Sequence, residues 1–464
     1  MTEQYRNELQ GLFEGPFTLS AGKKRREGTE WLETNGRGAF ASSSITEKQD
    51  RKYHGLLVTP IEGGEGRIHV LSAVDASFEI PGLDSGLSMG TASYPGVFHP
   101  EGWKSLARVE LLPFPAWTYR KGRVEIRKEI FMRSGEKGVY LVYTLIQGAR
   151  KLAGALKFLF TFRDSHGLTK ANENLDPSIR ELEEGFSLKP YAPLPAAAVL
   201  FSGEWERRGE FYWDYNICYE REKERGFDHM EDRFVPGTSL IHLKQGKPFV
   251  IKVLLQDDVS DSLSGGEGLV QIYEEEKTGR IGPGKIDSPL DLLKNQAHHF
   301  LLKNPSGSRS INAGYPWFGE WGRDTMLALP GLTFYNGRRD LAASILGDYS
   351  ALIKDGLLPN TLGDTQGFTS YNSMDAGLLF CWAVGKIRDG GYGKKKKEKA
   401  YLGQTLLPAV ASICGAFLEN RVPGAHLTEK GLLYSGSPDT QLTWMDATAW
   451  GHPVTPRWGL AVDL

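Results

Sequence analysis

Four short clusters of carboxylate, amide, guanidinium and aromatic residues hold most of the chemistry in the C-terminal part of this chain. They are Trp321 to Asp324, Leu358 to Asn360, Tyr371 to Asp375, and Thr443 to Asp446. Hydrolysis of a glycoside requires one carboxylic acid to protonate the leaving oxygen and one carboxylate to activate water or to attack the anomeric carbon. Aromatic faces cover the C–H side of a pyranose, and planar charged groups bind its hydroxyls in pairs. These residue types therefore predict a sugar site.

The segment GYPWFGEWGRDTMLALPGL is the densest of these regions. It places three aromatic residues and an Arg-Asp pair directly before a helix: Trp317, Phe318, Trp321, Arg323 and Asp324. An apolar wall beside a fixed guanidinium and carboxylate is the combination that a glucose-sized pocket needs.

Each cluster also has a purely structural explanation. Asp324 and Asp375 would complement the dipoles of the helices that they begin, and Asn360 would belong to an ordinary turn. Asp446 would be a solvated residue of a Trp-rich loop. Because all four clusters recur at helix entries within one part of the chain, together they favour a shared functional site.

Other common kinds of chemistry lack their sequence signatures. His298 and His299 are adjacent and would point apart on a helix, and no HExxH, GxSxG or GxxxxGK[ST] motif is present. The three cysteines are scattered and odd in number, which excludes a disulfide framework of paired cysteines. The sequence therefore predicts no metal and no cofactor.

The elements that must position these clusters change character along the chain. Up to about residue 280, short segments rich in β-branched and aromatic residues are bounded by Gly, Pro or Asn, and Asn35-Gly36 and Gln245-Gly246 stand where hairpin turns are expected. Strands are predicted for 66–80, 122–132, 138–146, 156–164, 211–220 and 238–255. This pattern predicts a large antiparallel β-sandwich.

Beyond the sandwich the apolar residues recur with a helical period. Helices are predicted for 289–303, 325–335, 339–354, 375–388 and 399–419. The Gly-, Ser- and Pro-containing segments 259–268 and 277–289 predict a linker between domains 1–280 and 281–464. The helices would form either a bundle or the first part of a toroid of helical hairpins.

Composition is typical of a soluble globular protein, with 40% hydrophobic and 24% charged residues and a formal net charge of −2. With so little net charge, the protein has no electrostatic attraction that would indicate a nucleic acid or an anionic membrane as a partner. The first residues lack the apolar core of a signal peptide, and no window approaches eighteen consecutive apolar residues. We expect a cytoplasmic protein with no membrane span.

The motifs WFGEWGRDTMLALPGL, LLPN, YNSMDA and LTWMDA…VTPR, in this order, resemble those of glycogen-debranching enzymes of the amylo-α-1,6-glucosidase family. WLETNGRGAFASSSI, RKYHGLL and RGFDHMEDRFVPG resemble the N-terminal domain of the prokaryotic members. The resemblance covers nearly the whole chain. It implies a β-sandwich followed by an (α/α)6 toroid like that of glucoamylases, and the inverting hydrolysis of α-1,6-linked glucose in glycogen or limit dextrin without a cofactor.

The resemblance also implies roles for individual residues. Asp446 matches the general acid of the family, and Trp444 would exclude water from it. Arg323 and Asp324 would hold glucose hydroxyls. The remaining residues would line or extend the pocket: Trp317, Phe318, Trp321, Asn360, Tyr371, Asn372 and Asp375.

The chain departs from the family pattern near its end, where Asp463 stands at a position usually occupied by Glu. The general base of the family is expected beyond Leu464, so we expect a C-terminally truncated chain with a partial toroid and apolar helix faces that lack partners. Two other functions stay open. One is a non-catalytic remnant that binds α-glucan, and the other is an α-glucosidase similar to glucoamylase or trehalase. Oligomeric state cannot be read from the sequence.

Overall fold

The computed structural model describes residues 18–20, 28–61, 66–256, 266–280, 288–304, 307–361 and 369–460. The chain divides into two compact units. The first comprises Met1–Glu62 with Arg67–Leu293, and the second comprises Gly63–Gly66 with Lys294–Leu464.

The first unit consists mainly of strands, as the alternation of its sequence predicted. In chain order they are β1 (Thr18–Ser20), β2 (Glu30–Thr34), β3 (Phe40–Ser44), β4 (Gly55–Pro60), β5 (Arg67–Phe78), β6 (Leu87–Ser88), β7 (Thr91–Tyr94), β8 (Val97–Glu101), β9 (Leu106–Glu110), β10 (Ala116–Lys121), β11 (Val124–Phe131), β12 (Gly138–Gln147), β13 (Lys151–Asp164), β14 (Ile179–Leu182), β15 (Gly185–Leu188), β16 (Ala196–Phe201), β17 (Trp205–Arg208), β18 (Tyr212–Cys218), β19 (Met230–Val235), β20 (Thr238–Lys244) and β21 (Pro248–Gln256).

Two antiparallel sheets account for most of these strands. One has the order β1-β9-β10-β11-β12-β21-β16-β15-β14. The other runs β17-β20-β13-β5-β4-β3-β2, with β6, β18 and β19 attached. Side chains of both sheets share one hydrophobic core, in which Trp31 of β2 meets Trp117 of β10 edge to face at 5.1 Å between ring centroids. The predicted antiparallel sandwich is therefore confirmed.

The turn at Asn35-Gly36 joins the antiparallel pair β2 and β3, as predicted. The hairpin predicted at Gln245-Gly246 is wrong, because this turn connects β20 to β21, which belong to different sheets. Two short helices complete the unit, α1 (Glu220–Glu224) and α2 (Glu267–Arg280). Helix α2 corrects the predicted linker, because its last turn lies within the segment 277–289. Its residues Leu269 and Tyr273 are buried in a core with Phe131 of β11, and Arg280 forms an ion pair with the buried Glu33 at 2.9 Å. Of the predicted linker, residues 259–265 and 281–287 lie outside the described residues.

The second unit is predominantly helical. Helix α3 (Pro289–Gln296) crosses the division between the two units. The helices that follow it are α4 (Gly322–Leu332), α5 (Arg339–Ser350), α6 (Asp375–Asp389), α7 (Lys396–Tyr401) and α8 (Leu407–Leu418). Small strand pairs accompany them: β22 (Leu301–Lys303), β23 (Arg309–Ile311), β24 (Ala425–Leu427), β25 (Leu433–Ser435), β26 (Thr448–Ala449), β27 (His452–Pro453) and β28 (Gly459–Leu460).

A separate hydrophobic core holds the helices of this unit together. Met326 of α4, Leu346 of α5, Phe380 of α6 and Ile413 of α8 are all fully buried in it. The helical period of apolar residues predicted these four segments from the sequence, and those apolar residues lie on the buried faces of the helices.

One helical segment of this unit is unusually apolar. Helix α7, the π-turn Leu402–Leu406 and α8 run on from Lys396 to Leu418. Among the described residues, this segment alone is long and apolar enough to cross a membrane, a property that core helices of water-soluble proteins share. Leu407 and Leu418 on α8 and Trp382 on α6 are exposed.

Candidate active site

Arg323 joins three segments of the helical unit. It lies in the first turn of α4 and is 8% exposed. Its Nε donates a hydrogen bond to Asp375 Oδ2 at 2.6 Å, its Nη2 donates to Ser373 Oγ at 3.2 Å, and its Nη1 lies 3.5 Å from Asp446 Oδ2. Residues separated by more than a hundred positions in the sequence therefore meet at one guanidinium.

Asn360 brings a fourth segment to the same carboxylate. Its side chain is buried, and its Nδ2 donates to Asp446 Oδ2 at 3.3 Å. Its carbonyl oxygen accepts the N–H of Gly322 at 2.9 Å, and its own N–H donates to the carbonyl of Ser370 at 2.7 Å. The loop before Asn360 is thus fixed to the start of α4.

Gly322 permits this close approach of loop and helix. A Cβ added at this position would lie 2.1 Å from the carbonyl oxygen of Pro359, which is far inside van der Waals contact. The absence of a side chain therefore lets the helix start reach the loop that carries Asn360.

The loop that carries Asp446 is anchored to the start of α6. The N–H of Met374 donates to the carbonyl of Leu442 at 2.8 Å. Within the loop, Gln441 Nε2 donates to the carbonyl of Asp446 at 3.3 Å. These bonds place the Asp446 side chain, which is 23% exposed, beside Arg323.

The surroundings of Asp324 change the pKa of its carboxyl. Burial raises this pKa above the usual value, the neighbouring Arg323 guanidinium partly offsets the rise, and the negative charges of Asp446 and Asp375 raise the pKa further. Asp324 therefore holds a proton more readily than an exposed aspartic acid does.

Three buried polar atoms near this cluster have no hydrogen-bond partner among the described residues. They are Nε1 of Trp321, Oδ1 of Asn360 and Oγ1 of Thr443. A buried donor or acceptor without a protein partner is costly, so each of these atoms needs a further partner such as a water molecule.

Two family models match the chain. The model described as "Glycogen debranching enzyme N terminal" matches residues 29–250, and the model described as "Amylo-alpha-1,6-glucosidase" matches residues 295–464. The chain belongs to the glycogen-debranching-enzyme family.

Solved structures similar to this family member share little sequence with it. A bacterial glucoamylase complexed with acarbose has 13% identity and a TM-score of 0.44, and the match covers 92% of this chain and 60% of that one. An inverting family GH92 mannosidase from Bacteroides thetaiotaomicron has 9% identity and a TM-score of 0.30, over 92% and 64% of the two chains. The chain thus spans about 60% of the length of these proteins.

Not all of the predicted site residues of this debranching-family chain lie at the Arg323 cluster. Asp324, Asn360, Asp375 and Asp446 do, as described above. The hydroxyl of Tyr371 instead donates to the carbonyl of Leu352 at 2.8 Å. The side chain of Asn372 accepts a hydrogen bond from Ser370 Oγ at 2.7 Å. Tyr371 and Asn372 thus form hydrogen bonds within the local loops, and their predicted place in the polar wall stays a prediction.

The predicted aromatic residues are only partly sheltered. Trp317 and Phe318 are 36% and 48% exposed, and the Phe318 ring meets that of Trp321 edge to face at 6.0 Å. Trp444 is 51% exposed, and its ring lies beneath the Arg457 guanidinium at 5.0 Å. The exclusion of water from Asp446 by Trp444 stays a prediction.

Ser373 and Thr443 are site residues that the sequence reasoning did not single out. Ser373 donates from its Oγ to Asp375 Oδ1 and accepts from Arg323, so it fixes both charged groups. A signal was available, because both residues stand within the YNSMD and TWMD motifs that we identified. Among the described residues, no group of three or more His, Cys, Asp or Glu side chains is arranged to hold a metal ion.

Proposed function

We propose that this protein is a glycoside hydrolase that removes α-1,6-linked glucose from branch points of glycogen or limit dextrin, with inversion. Family membership supports the reaction class. The single observation that carries the proposal is the convergence of Arg323, Asn360, Asp375 and Asp446 from four separate segments at 2.6 to 3.5 Å. We also propose that α4 to α8 form part of an (α/α)6 toroid like that of glucoamylases, and that the protein acts in the cytoplasm.

Glucose recognition would rest on the polar groups around Arg323. Asp324 is partly exposed, and its carboxylate would accept hydrogen bonds from sugar hydroxyls. A site that forms such hydrogen bonds discriminates strongly against ligands that lack the hydroxyls. Phe318 and Trp321 would cover an apolar face of the ring.

Asp446 would act as the general acid. Its Oδ2 accepts from Arg323 and Asn360, while its Oδ1 makes no hydrogen bond with any described residue. Oδ1 would carry the proton, which passes to the leaving oxygen as the bond between that oxygen and the anomeric carbon breaks. A water molecule forms the new bond to the anomeric carbon from the opposite face and gives its proton to a base, so the anomeric configuration inverts.

The preference for the α-1,6 linkage rests on the family alone. The glucose side of the site would be shared with an α-glucosidase similar to glucoamylase or trehalase, and the leaving-group side decides between them. A comparison of limit dextrin, isomaltose and maltose as substrates therefore separates these functions.

The test is glucose release from a branched limit dextrin by the full-length gene product and by the same protein with Asp446→Asn. We expect release from the branched substrate, and a decrease in kcat of about 10² to 10⁴ in the variant, because removal of a general acid has an effect of this order. Polarimetry or NMR of the first product anomer tests inversion.

Three outcomes would contradict the proposal in different ways. Equal turnover of Asp446→Asn would remove Asp446 as the acid. Faster cleavage of maltose than of branched dextrin would favour the glucoamylase-like function. Binding of glucan with no glucose release, from wild type and variant alike, would favour the non-catalytic remnant.

A further inference from the structure

A cavity of the sandwich unit has no role in the function proposed above. It encloses about 560 Å³, which lies within the roughly 300–1,000 Å³ that ligand pockets occupy. Its walls come from the β7–β8 hairpin, the turn Gly102–Ser105, the loop between β3 and β4, and α1.

Two aromatic side chains form the apolar part of its lining. Phe98 of β8 is 48% exposed, and Trp103 stands on the neighbouring turn and is half-buried. Exposed aromatic rings on a cavity wall are what the C–H face of a pyranose binds.

Trp103 is held firmly in place. Its backbone N–H donates to Thr91 Oγ1 at 3.2 Å, and the N–H of Gly102 donates to the carbonyl of Gly90 at 2.9 Å. A Cβ at Gly102 would lie 2.3 Å from the carbonyl oxygen of Met89, so the turn packs directly against this backbone. A ring on so fixed a segment is pre-organised for binding, which reduces the entropy lost when a ligand binds.

The polar part of the lining is also ordered. Lys48 forms an ion pair with Asp50 at 2.7 Å and places its Nζ 5.3 Å from the centre of the Phe98 ring. The N–H of Arg221 donates to the carbonyl of Asp50 at 2.9 Å, and Glu220 accepts from Ser93. Planar carboxylates and a guanidinium beside aromatic rings suit hydroxyl groups arranged in pairs.

The charges of the lining exclude an anionic ligand. Four carboxylates face two cations, namely Asp50, Glu101, Glu220 and Glu224 against Lys48 and Arg221. An excess of negative charge disfavours phosphates, nucleotides and acidic peptides. A neutral ligand rich in hydroxyls and with apolar C–H faces fits both the aromatic and the polar part.

We infer that this cavity binds a segment of a neutral α-glucan chain. The inference rests on the proposed function for the identity of the sugar. A glucan held here would keep the enzyme on a polymer that carries many cleavable branches, because a second binding contact raises the effective concentration of substrate.

The experiment measures the affinity of the full chain for maltoheptaose by calorimetry. Every protein carries Asp446→Asn, so that the contribution of the candidate active site is the same throughout. We expect Phe98→Ala to weaken binding about tenfold, as for an exposed anchor residue, and Phe98→Tyr to retain it. The double variant Phe98→Ala/Trp103→Ala should bind still more weakly.

Phe227 provides a matched control. It is 55% exposed in the same unit, lies under a cation as Phe98 does, and does not line the cavity. Phe227→Ala should bind maltoheptaose like the parent. Thermal melts verify that each variant is folded, and Phe98 is exposed enough that its truncation should leave the fold intact.

The outcomes separate this inference from the proposed function. If Phe98→Ala binds like the parent, or if Phe227→Ala loses as much affinity, the inference is overturned even when the wild-type chain hydrolyses limit dextrin. If the wild-type chain releases no glucose but the Phe98 effect is found, the inference stands and the proposed function fails.

Discussion

At the scale of single residues, Arg323 determines the geometry of the site. Its three nitrogens reach three different residues, Asp375, Ser373 and Asp446, and only the rigid, planar guanidinium offers donors in such a fork. Asp375 and Arg323 are both almost fully buried, so each depends on the other to offset its desolvation. A lysine at this position would be a single charge on a flexible stem, and it would leave at least one of these partners unsatisfied.

Asp324 allows a prediction about stability and pH. Burial raises its folded-state pKa above the ordinary value of 3.8, so its contribution to stability is present below that value and is lost as the pH rises through the raised pKa. Asp324→Asn cannot ionise and resembles the protonated acid. We therefore expect equal melting temperatures of variant and wild type at about pH 3, and a more stable variant at neutral pH.

The control for this prediction is Asp340→Asn. Asp340 is an exposed acid in the first turn of α5, where its charge complements the helix dipole, so its removal should lower stability slightly at neutral pH. A variant at Asp324 that is less stable than wild type at neutral pH would show that its carboxylate is instead well stabilised in the folded protein.

At the scale of elements, the contact between the start of α4 and the Asn360 loop should be sensitive to a single methyl group. Gly322→Ala would bring its Cβ to 2.1 Å from the Pro359 carbonyl, so the loop must shift. We expect a destabilisation of about 1–3 kcal/mol, as for overpacking elsewhere, and loss of the Asn360 contact with Asp446. Chemical denaturation and glucose release measure the two effects.

Gly331→Ala is the matched control in the same helix. A Cβ at Gly331 meets nothing within 4 Å, so alanine should be neutral or stabilise the helix by up to about 1 kcal/mol. If both substitutions have the same effect, helix propensity rather than the close approach decides the result.

The elements themselves were largely predictable, because their periods are local properties. The helices predicted at 339–354 and 375–388 are found as Arg339–Ser350 and Asp375–Asp389. The sequence did not predict the directions of side chains or the contacts between distant residues. The position of Tyr371 in a polar motif did not reveal that its hydroxyl binds the Leu352 carbonyl, and a neighbour in sequence such as Trp444 need not shelter Asp446.

At the scale of the whole molecule, each unit has a core of its own. The sandwich core includes Trp117 and Phe158, and the helical core includes Leu346 and Phe380. The sequence indicated this division through its change of period, and the predicted boundary at residue 280 coincides with the end of α2, but parts of α2 were assigned to a linker. The Gly-rich composition before α2 predicted a linker there. The helix nevertheless buries Leu269 and Tyr273 in a hydrophobic core with residues of the sandwich strands.

Charge balance leads to a prediction for the whole protein. The chain has 55 basic and 57 acidic residues, so its long-range field is weak. The proposed ligand is neutral, and the ion pair between Arg323 and Asp375 is buried, where salt screens little. We therefore expect the affinity for maltoheptaose to change less than about twofold between about 0.05 and 0.5 M salt. A fall of tenfold or more would contradict this expectation, because it would mean that salt-screened charges determine the affinity for a neutral glucan.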